Sequence, residues 1–368
     1  MDAAPRPAAG ATAALQLVGS GSPAPEVDSF EVFVCAVPTP TADPLYGEMT
    51  LRLDLDPAQI ASTFESNVRP YFETLSHGRY HPTFSAGSVI TLADDELHDR
   101  CIDEALDASE PSAAAVIVVA DAEHLATEPG GWGRAGAPCA AAQCPAAVTR
   151  RMIYVGASDF SPDYGPVPLL DLVEHEIGHS LGLPHSGDPG AESHASGLDM
   201  MSDSAAPRQF QPDRKNAQDT LAINRLALGW LGVDAVQIAD PNAGGTFELA
   251  NSPGTSGTRL LVLPVSDDVF VSVELLDASG LDDFLPHGGL AVHRIDQSPS
   301  ACGRTGPAAQ PCTGQDRTQI TLGSTAPHLD LMHQPGDSLS ADGWSITVGA
   351  GGAIAGGTVQ VEVHPTQR

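Results

Sequence analysis

Residues 175–185 read His-Glu-Ile-Gly-His-Ser-Leu-Gly-Leu-Pro-His, an unbroken H-E-x-x-H-x-x-G-x-x-H pattern. His175 and His179 are four apart, so a helix sets them on one face, one turn above the other. Both imidazoles can then reach a single ion at about 2.0–2.1 Å. Glu176 leans toward the same open side, where it can touch an ion-bound water without ligating the ion. Gly182 permits a sharp exit from the helix, and Pro184 prevents its continuation. His185 thereby returns as a third ligand. Three neutral nitrogens leave one position of a tetrahedral zinc ion open, which suits a catalytic site.

The helix that must position these groups is legible in its flanks. Leu169, Leu172, Val173, Ile177 and Leu181 follow helical spacing. With about 3.6 residues per turn, Val173 and Ile177 lie roughly opposite His175. One face anchors the helix while the other holds ligands. Pro168 suits a first helical turn. A bare H-E-x-x-H recurs by accident in unrelated chains, but five fixed positions in register make a much stronger signal.

The run resembles the metzincin zinc metalloproteases. That clan carries a Met-containing turn downstream, and residues 198–203 (Leu-Asp-Met-Met-Ser-Asp) fit it, with Met201 as the better candidate because the small Ser202 follows. Two adjacent methionines alone would read as core filler. Residues 226–231 (Leu-Ala-Leu-Gly-Trp-Leu) and 76–80 (Ser-His-Gly-Arg-Tyr) are similar to elements of the immune inhibitor A and gametolysin-like families. The resemblance spans roughly residues 30–300, specific at 175–201 and loose elsewhere. Some immune inhibitor A relatives have Asp as third ligand, whereas His185 is closer to gametolysin. The resemblance implies an α+β catalytic domain, a mixed sheet with an active-site helix. It also implies an edge strand near residues 128–138 that pairs with extended substrate. Trp132 to Arg134 then line the cleft; a plain loop over the core is the competing reading.

The chain has 368 residues and a formal net charge of −30, with 47 Asp and Glu against 17 Lys and Arg. Lys215 is its single lysine. So acidic a chain repels nucleic acid and anionic membranes, and the acidity serves solubility more readily than capture of a cationic substrate. No run of about 18 apolar residues predicts a membrane helix. Residues 1–28, rich in Ala, Pro, Gly and Ser, read as a flexible leader without a clear secretory signal. The six cysteines, Cys35, Cys101, Cys139, Cys144, Cys302 and Cys312, show no zinc-finger spacing. Their even count suits disulfides and a secreted protein. Proximity favours Cys139–Cys144 and Cys302–Cys312, leaving Cys35–Cys101, among about fifteen possible pairings. A set of buried free thiols is the alternative.

Residues 30–37 and 113–120 are apolar runs expected as buried strands, with further strands at 84–92 and 151–155. Asp56-Pro57 starts a helix. Ile60, Phe64, Val68, Phe72 and Leu75 continue it, Pro70 predicts a kink or early end, and His77-Gly78 closes it, with Gly78 as the C-cap. Residues 94–108 form a second helix. His77 and His81 are ordinary turn or surface residues. Residues 188–211 form a loop-rich wall in which Asp188, Glu192, His194 and Asp199 are read as solvated rather than as a second ion site. Residues 213–231 read as a helix ended by Gly232. From residue 236 short alternating strands predict an all-β antiparallel sandwich: 258–265, 269–275, 289–295, 318–322, 344–348 and 359–363. His293, His328 and His333 there are structural.

These readings converge on three segments, the leader 1–28, a zinc metallopeptidase domain at 29–232 and a β domain at 236–368. The expected activity is that of a secreted zinc endopeptidase. Zn2+ sits on His175, His179 and His185, and Glu176 is the general base. Calcium is without support in the pattern. Tyr154 and Tyr164 are near in sequence, but nothing assigns either as an oxyanion donor. The partner is a protein or peptide substrate, with no nucleic acid, no membrane insertion and a monomer favoured. The alternative is a non-enzymatic surface- or matrix-binding protein with a structural zinc site, and a further one is another zinc hydrolase, such as an amidase.

Overall fold

The structure is a computed structural model that describes residues 24–38, 52–93, 98–122, 130–135, 150–187, 196–297, 318–322, 332–350 and 357–366. Cys139, Cys144, Cys302, Cys312, Asp188, Glu192, His194 and His328, named in the sequence analysis, lie outside these residues. Contacts divide the chain into two units. One comprises Pro25–Gly182 with Pro212–Ala217; the other includes Leu183–Gln211 and Gln218–Arg368.

The first unit is built on a mixed sheet. Its strands are β1 (Val27–Ala36), β2 (His81–Thr91), β3 (Ala115–Ala120), β4 (Gly131–Arg134) and β5 (Arg151–Val155), interleaved with α1 (Pro57–Leu75) and α2 (His98–Ala108) and followed by α3 (Asp171–Ser180). The spatial order is β2-β1-β3-β5-β4. Parallel pairing joins β1 to β2 and β3, and β3 to β5; only β4 runs antiparallel, at the edge. The apolar runs become β1 and β3 because a strand covered on both faces has no polar side to show, and β3 is buried at every residue.

One face of the sheet packs Phe33, Cys35, Val116, Val118 and Tyr154 against Ile102, Ala105 and Leu106 of α2. A Cys35–Cys101 disulfide with Cα atoms 5.8 Å apart ties α2 to β1. In the chain-entropy account, closing a loop of that size contributes roughly 4 kcal/mol. Arg150 holds the end of α2 by donating to the carbonyls of Leu106, Glu110 and Ala113. α1 packs Phe64 edge-on to Phe84 and Phe72 edge-on to Tyr80.

α1 does not end early at Pro70, and it closes at His77-Gly78 as expected. It runs through Pro70 to Leu75. Pro70 lies on the exposed side of the helix. At its end the left-handed backbone begins at His77 (φ 55°) and continues at Gly78 (φ 70°), with the Gly78 N–H donating to the Glu73 carbonyl at 2.8 Å. His81 meets Glu73 at 2.8 Å.

The second unit carries β6 (Ser186–Gly187), α4 (Ala206–Phe210), α5 (Ala222–Ala227), β7 (Val236–Ile238), β8 (Gly245–Ala250), β9 (Leu260–Pro264), β10 (Val269–Leu276), β11 (Gly289–Asp296), β12 (Thr318–Thr321), β13 (Ser338–Ala341), β14 (Trp344–Val348) and β15 (Thr358–Pro365). They form a six-stranded sheet, β6-β12-β11-β10-β9-β7, and a four-stranded sheet, β13-β14-β15-β8. Inward residues of both share one core. It holds Leu261, Leu263, Val271, Val273, Leu290 and Val292 from the larger sheet and Leu249, Ile346, Val359, Val361, Val363 and Trp344 from the smaller. Alternation in β10 and β15 foretold this packing. Pairing is mostly antiparallel, with β7–β9 and β6–β12 as parallel exceptions.

Residues 213–231 do not form one helix. Only Ala222–Ala227 is α-helical, and it closes at Gly229 (φ 74°) rather than at Gly232. The preceding stretch is irregular, and its polar groups bond elsewhere. The Lys215 carbonyl accepts from the Leu170 and Asp171 N–H groups, and Gln218 donates to the carbonyls of Gly197, Asp199 and Asp203. Asp199 is likewise not a solvated loop residue. It is fully buried, accepting from Ser186 Oγ (2.6 Å), Thr220 Oγ1 (2.9 Å) and Asn224 Nδ2 (3.1 Å).

Candidate metal centre

α3 begins at Asp171, after Pro168, so that proline lies before the helix and not in its first turn. The helix is held by its apolar residues Val173 and Ile177, both buried. Glu174 is fully buried as well, accepting from Asn216 Nδ2 and from the Ala217 N–H (2.8 Å). Burial nevertheless pushes its carboxyl well above the ordinary glutamate value.

His175 is buried, while His179 and His185 are half-buried. Gly182 takes φ 91°, the left-handed backbone that a glycine adopts without strain, and its N–H caps the His179 carbonyl at 2.9 Å. Each of the three histidines offers one ring nitrogen, and these atoms lie within 4.8 Å of one another. The Nε2 atoms of His175 and His179 are 3.0 Å apart. Two nitrogens bound to one tetrahedral ion at about 2.0–2.1 Å would stand about 3.3 Å apart. The three histidines can therefore hold a metal ion, and theirs is the one such cluster found among the described residues.

Glu176 is buried beside them, at 3% exposure. Its carboxylate takes the Gly133 backbone N–H, and Oε2 has no hydrogen-bond partner among the described residues. Burial raises its pKa to about 8, opposed by that N–H. A cation held by the histidines would favour the ionised form and draw the value back down.

β4 lies directly on α3. A Cβ added at Gly133 would stand 2.0 Å from the Glu176 carbonyl oxygen, and one at Gly131 would stand 3.2 Å from Glu176 Oε1. Glycine at these alternate positions lets the strand approach the helix. Trp132 and Arg134 project to the other face, where Trp132 stacks on Tyr154 at 6.1 Å. The resemblance set Trp132 to Arg134 along the cleft as a block, against a plain loop over the core. The structure splits the block by strand alternation and gives the contact with Glu176 to the glycines. The signal was the pair of glycines two apart.

Met200 and Met201 are both fully buried. The Met201 carbonyl accepts the Ser186 N–H at 3.0 Å, fixing the backbone next to His185. Tyr154 is buried against Trp132 and His98, and Tyr164 is 41% exposed with its carbonyl bonded to Lys215. In the β unit His293 is fully buried with neither ring nitrogen hydrogen-bonded, and burial lowers its pKa to about 4. His333 Nε2 lies 3.2 Å from the Leu322 carbonyl.

No protein-family model and no curated protein matches the chain. Among solved structures it has a distant likeness to one titled "Structure of a chaperone-substrate complex". That match is 12% identical, covers 55% of this chain and 35% of the other, and has a TM-score of 0.24.

Proposed function

We propose that the protein is a secreted zinc-dependent endopeptidase of the metzincin type. The observation that carries the reading is the convergence of His175, His179 and His185 beside a buried glutamate that keeps one oxygen unbonded. The donor set fits zinc, since three neutral imidazoles leave a fourth position for water or substrate. When bound, zinc supplies polarisation of a peptide carbonyl and activation of water near neutral pH.

The chain's own groups do the rest. Glu176 accepts the water proton and delivers it to the leaving amine nitrogen. The Gly133 N–H steadies the carboxylate while Oε2 stays open. The outer edge of β4, unpaired among the described residues, offers backbone groups to an extended peptide. Met201 serves as the Met turn, holding the backbone beside His185.

The test is metal content together with cleavage of a denatured protein, for wild type and Glu176→Ala side by side. One zinc per chain in both, with cleavage in wild type alone, is the expected result. Zinc in both with cleavage in neither would move the reading to a binding protein with a structural metal, for which the unbonded Glu176 oxygen has no use.

A further inference from the structure

The first unit holds an arginine that its other charge pairs make conspicuous. Arg52, Arg69, Arg100 and Arg151 each pair with a carboxylate, at Asp121, Glu65, Glu104 and Asp28 respectively. Arg134 has no carboxylate partner among the described residues, in a chain with 47 acidic side chains. It is exposed at the end of β4 and lies over the Trp132 ring, its guanidinium carbon 4.3 Å from the ring centroid. Trp132 is itself seated on Tyr154, so the platform under the guanidinium is fixed. Stacking on an aromatic face leaves all five N–H donors of an arginine in its plane free to bond outward.

β4 is also an edge strand. A peptide added to that edge places alternate side chains on each face of the extended sheet. On one face β4 presents only Gly131 and Gly133, toward Glu176. On the other it presents Trp132 and Arg134. A peptide residue opposite Arg134 would therefore lie beside a pre-oriented, unpaired guanidinium.

We infer that Arg134 is a specificity-determining residue that selects peptides with Asp or Glu at the position paired with it on the β4 edge. The inference rests on the peptidase reading for its consequence in cleavage, but not for its consequence in binding. A guanidinium matches a carboxylate with two parallel N–H···O bonds, whereas a neutral side chain of similar size receives neither the charge nor the fork. Because the pair is solvent-exposed, the preference is modest, roughly fivefold, and it weakens as salt shortens the screening length.

The experiment has two arms on the full chain. In the first, wild type, Arg134→Gln and Arg134→Glu digest a peptide library, and residue enrichment is read at each position around the cut. The expected result is an acidic preference at one position in wild type, its loss in Arg134→Gln, and a shift toward Lys and Arg in Arg134→Glu. An acidic preference that survives in Arg134→Gln, or none in wild type, overturns the inference. In the second arm, fluorescence anisotropy measures binding of an extended peptide and its Glu→Gln counterpart to Glu176→Gln and to Glu176→Gln/Arg134→Gln. Tighter binding of the acidic peptide, lost with Arg134, upholds the inference even if no variant cleaves anything, in which case the peptidase reading alone falls. Equal binding of the two peptides to the Arg134-containing protein overturns it whether or not the protein is a peptidase.

Discussion

α3 carries two buried glutamates two residues apart, and the two sides of the helix treat them in opposite ways. On one side Glu174 has both oxygens engaged, by the Asn216 amide and the Ala217 N–H. On the other side Glu176 receives the Gly133 N–H and keeps Oε2 unbonded. Both are out of water and both have raised pKa values. A buried acceptor without a partner ordinarily costs about 1–3 kcal/mol. The saturated carboxylate holds α3 to residues 216–217, and the unsaturated one keeps an acceptor that the proposed reading puts to use. That contrast marks Glu176 more sharply than its burial does.

The comparison breaks most visibly by exchanging each residue for its amide. Glu176→Gln is expected to lower cleavage by roughly 10²–10⁴-fold, the range of a lost general base. Its thermal midpoint should stay at or above that of wild type, since no existing bond to Oε2 is removed. A midpoint well below wild type would show that Glu176 is a structural residue like its neighbour. Gly133→Ala attacks the same side through the backbone. With its Cβ 2.0 Å from the Glu176 carbonyl oxygen, the expected outcome is a loss of several kcal/mol in denaturant unfolding. Wild-type stability in this variant would mean that β4 does not press on α3.

Glu174→Ala sharpens the other side. It leaves the Asn216 amide and the Ala217 N–H buried without an acceptor, at an expected cost of about 2–3 kcal/mol. Metal content measured in the surviving folded fraction should stay at the wild-type value. A pH-dependent comparison comes from a third buried carboxylate, in the β unit. Glu274 Oε2 accepts from Ser252 Oγ and the Ala222 N–H, Oε1 has no partner, and burial raises its pKa to about 7. A folded pKa above the unfolded value near 4.5 favours the protonated form. Its contribution to stability is complete below pH 4.5 and is lost as pH rises through 7. Glu274→Gln should flatten the unfolding free energy across that window while leaving cleavage untouched. An unchanged pH slope would remove Glu274 from the account.

Much of this was readable from residue types alone. The ligand spacing needed only the helical repeat and a glycine to break it, and Gly182 adopts the backbone that break requires. Strands such as β1, β3, β10 and β15 announced themselves by apolar runs or alternation because their burial is uniform or regular. Residues 213–221 misled because their spacing suits a helix, while their amides and hydroxyls are committed to Glu174, Asp199 and the start of α3. Such commitments are long-range and leave no periodic trace. Asp199 misled for the same reason, since an aspartate in a glycine- and serine-rich stretch looks solvated until the donors around it are known. The role of Gly131 and Gly133 was hidden because glycine has no side chain to classify, and only the opposing helix explains it.

The two-residue strand that follows His185 has a consequence in the time order of synthesis. Ser186 and Gly187 pair with Gln319 and Ile320, which lie far downstream in the chain. Until the ribosome has passed β12, the segment bearing the third histidine lacks its strand partner. His175 and His179 belong to a helix whose supporting sheet is translated before them. The helix bearing His175 and His179 can thus pack on its sheet while the strand after His185 still waits for β12 to be made.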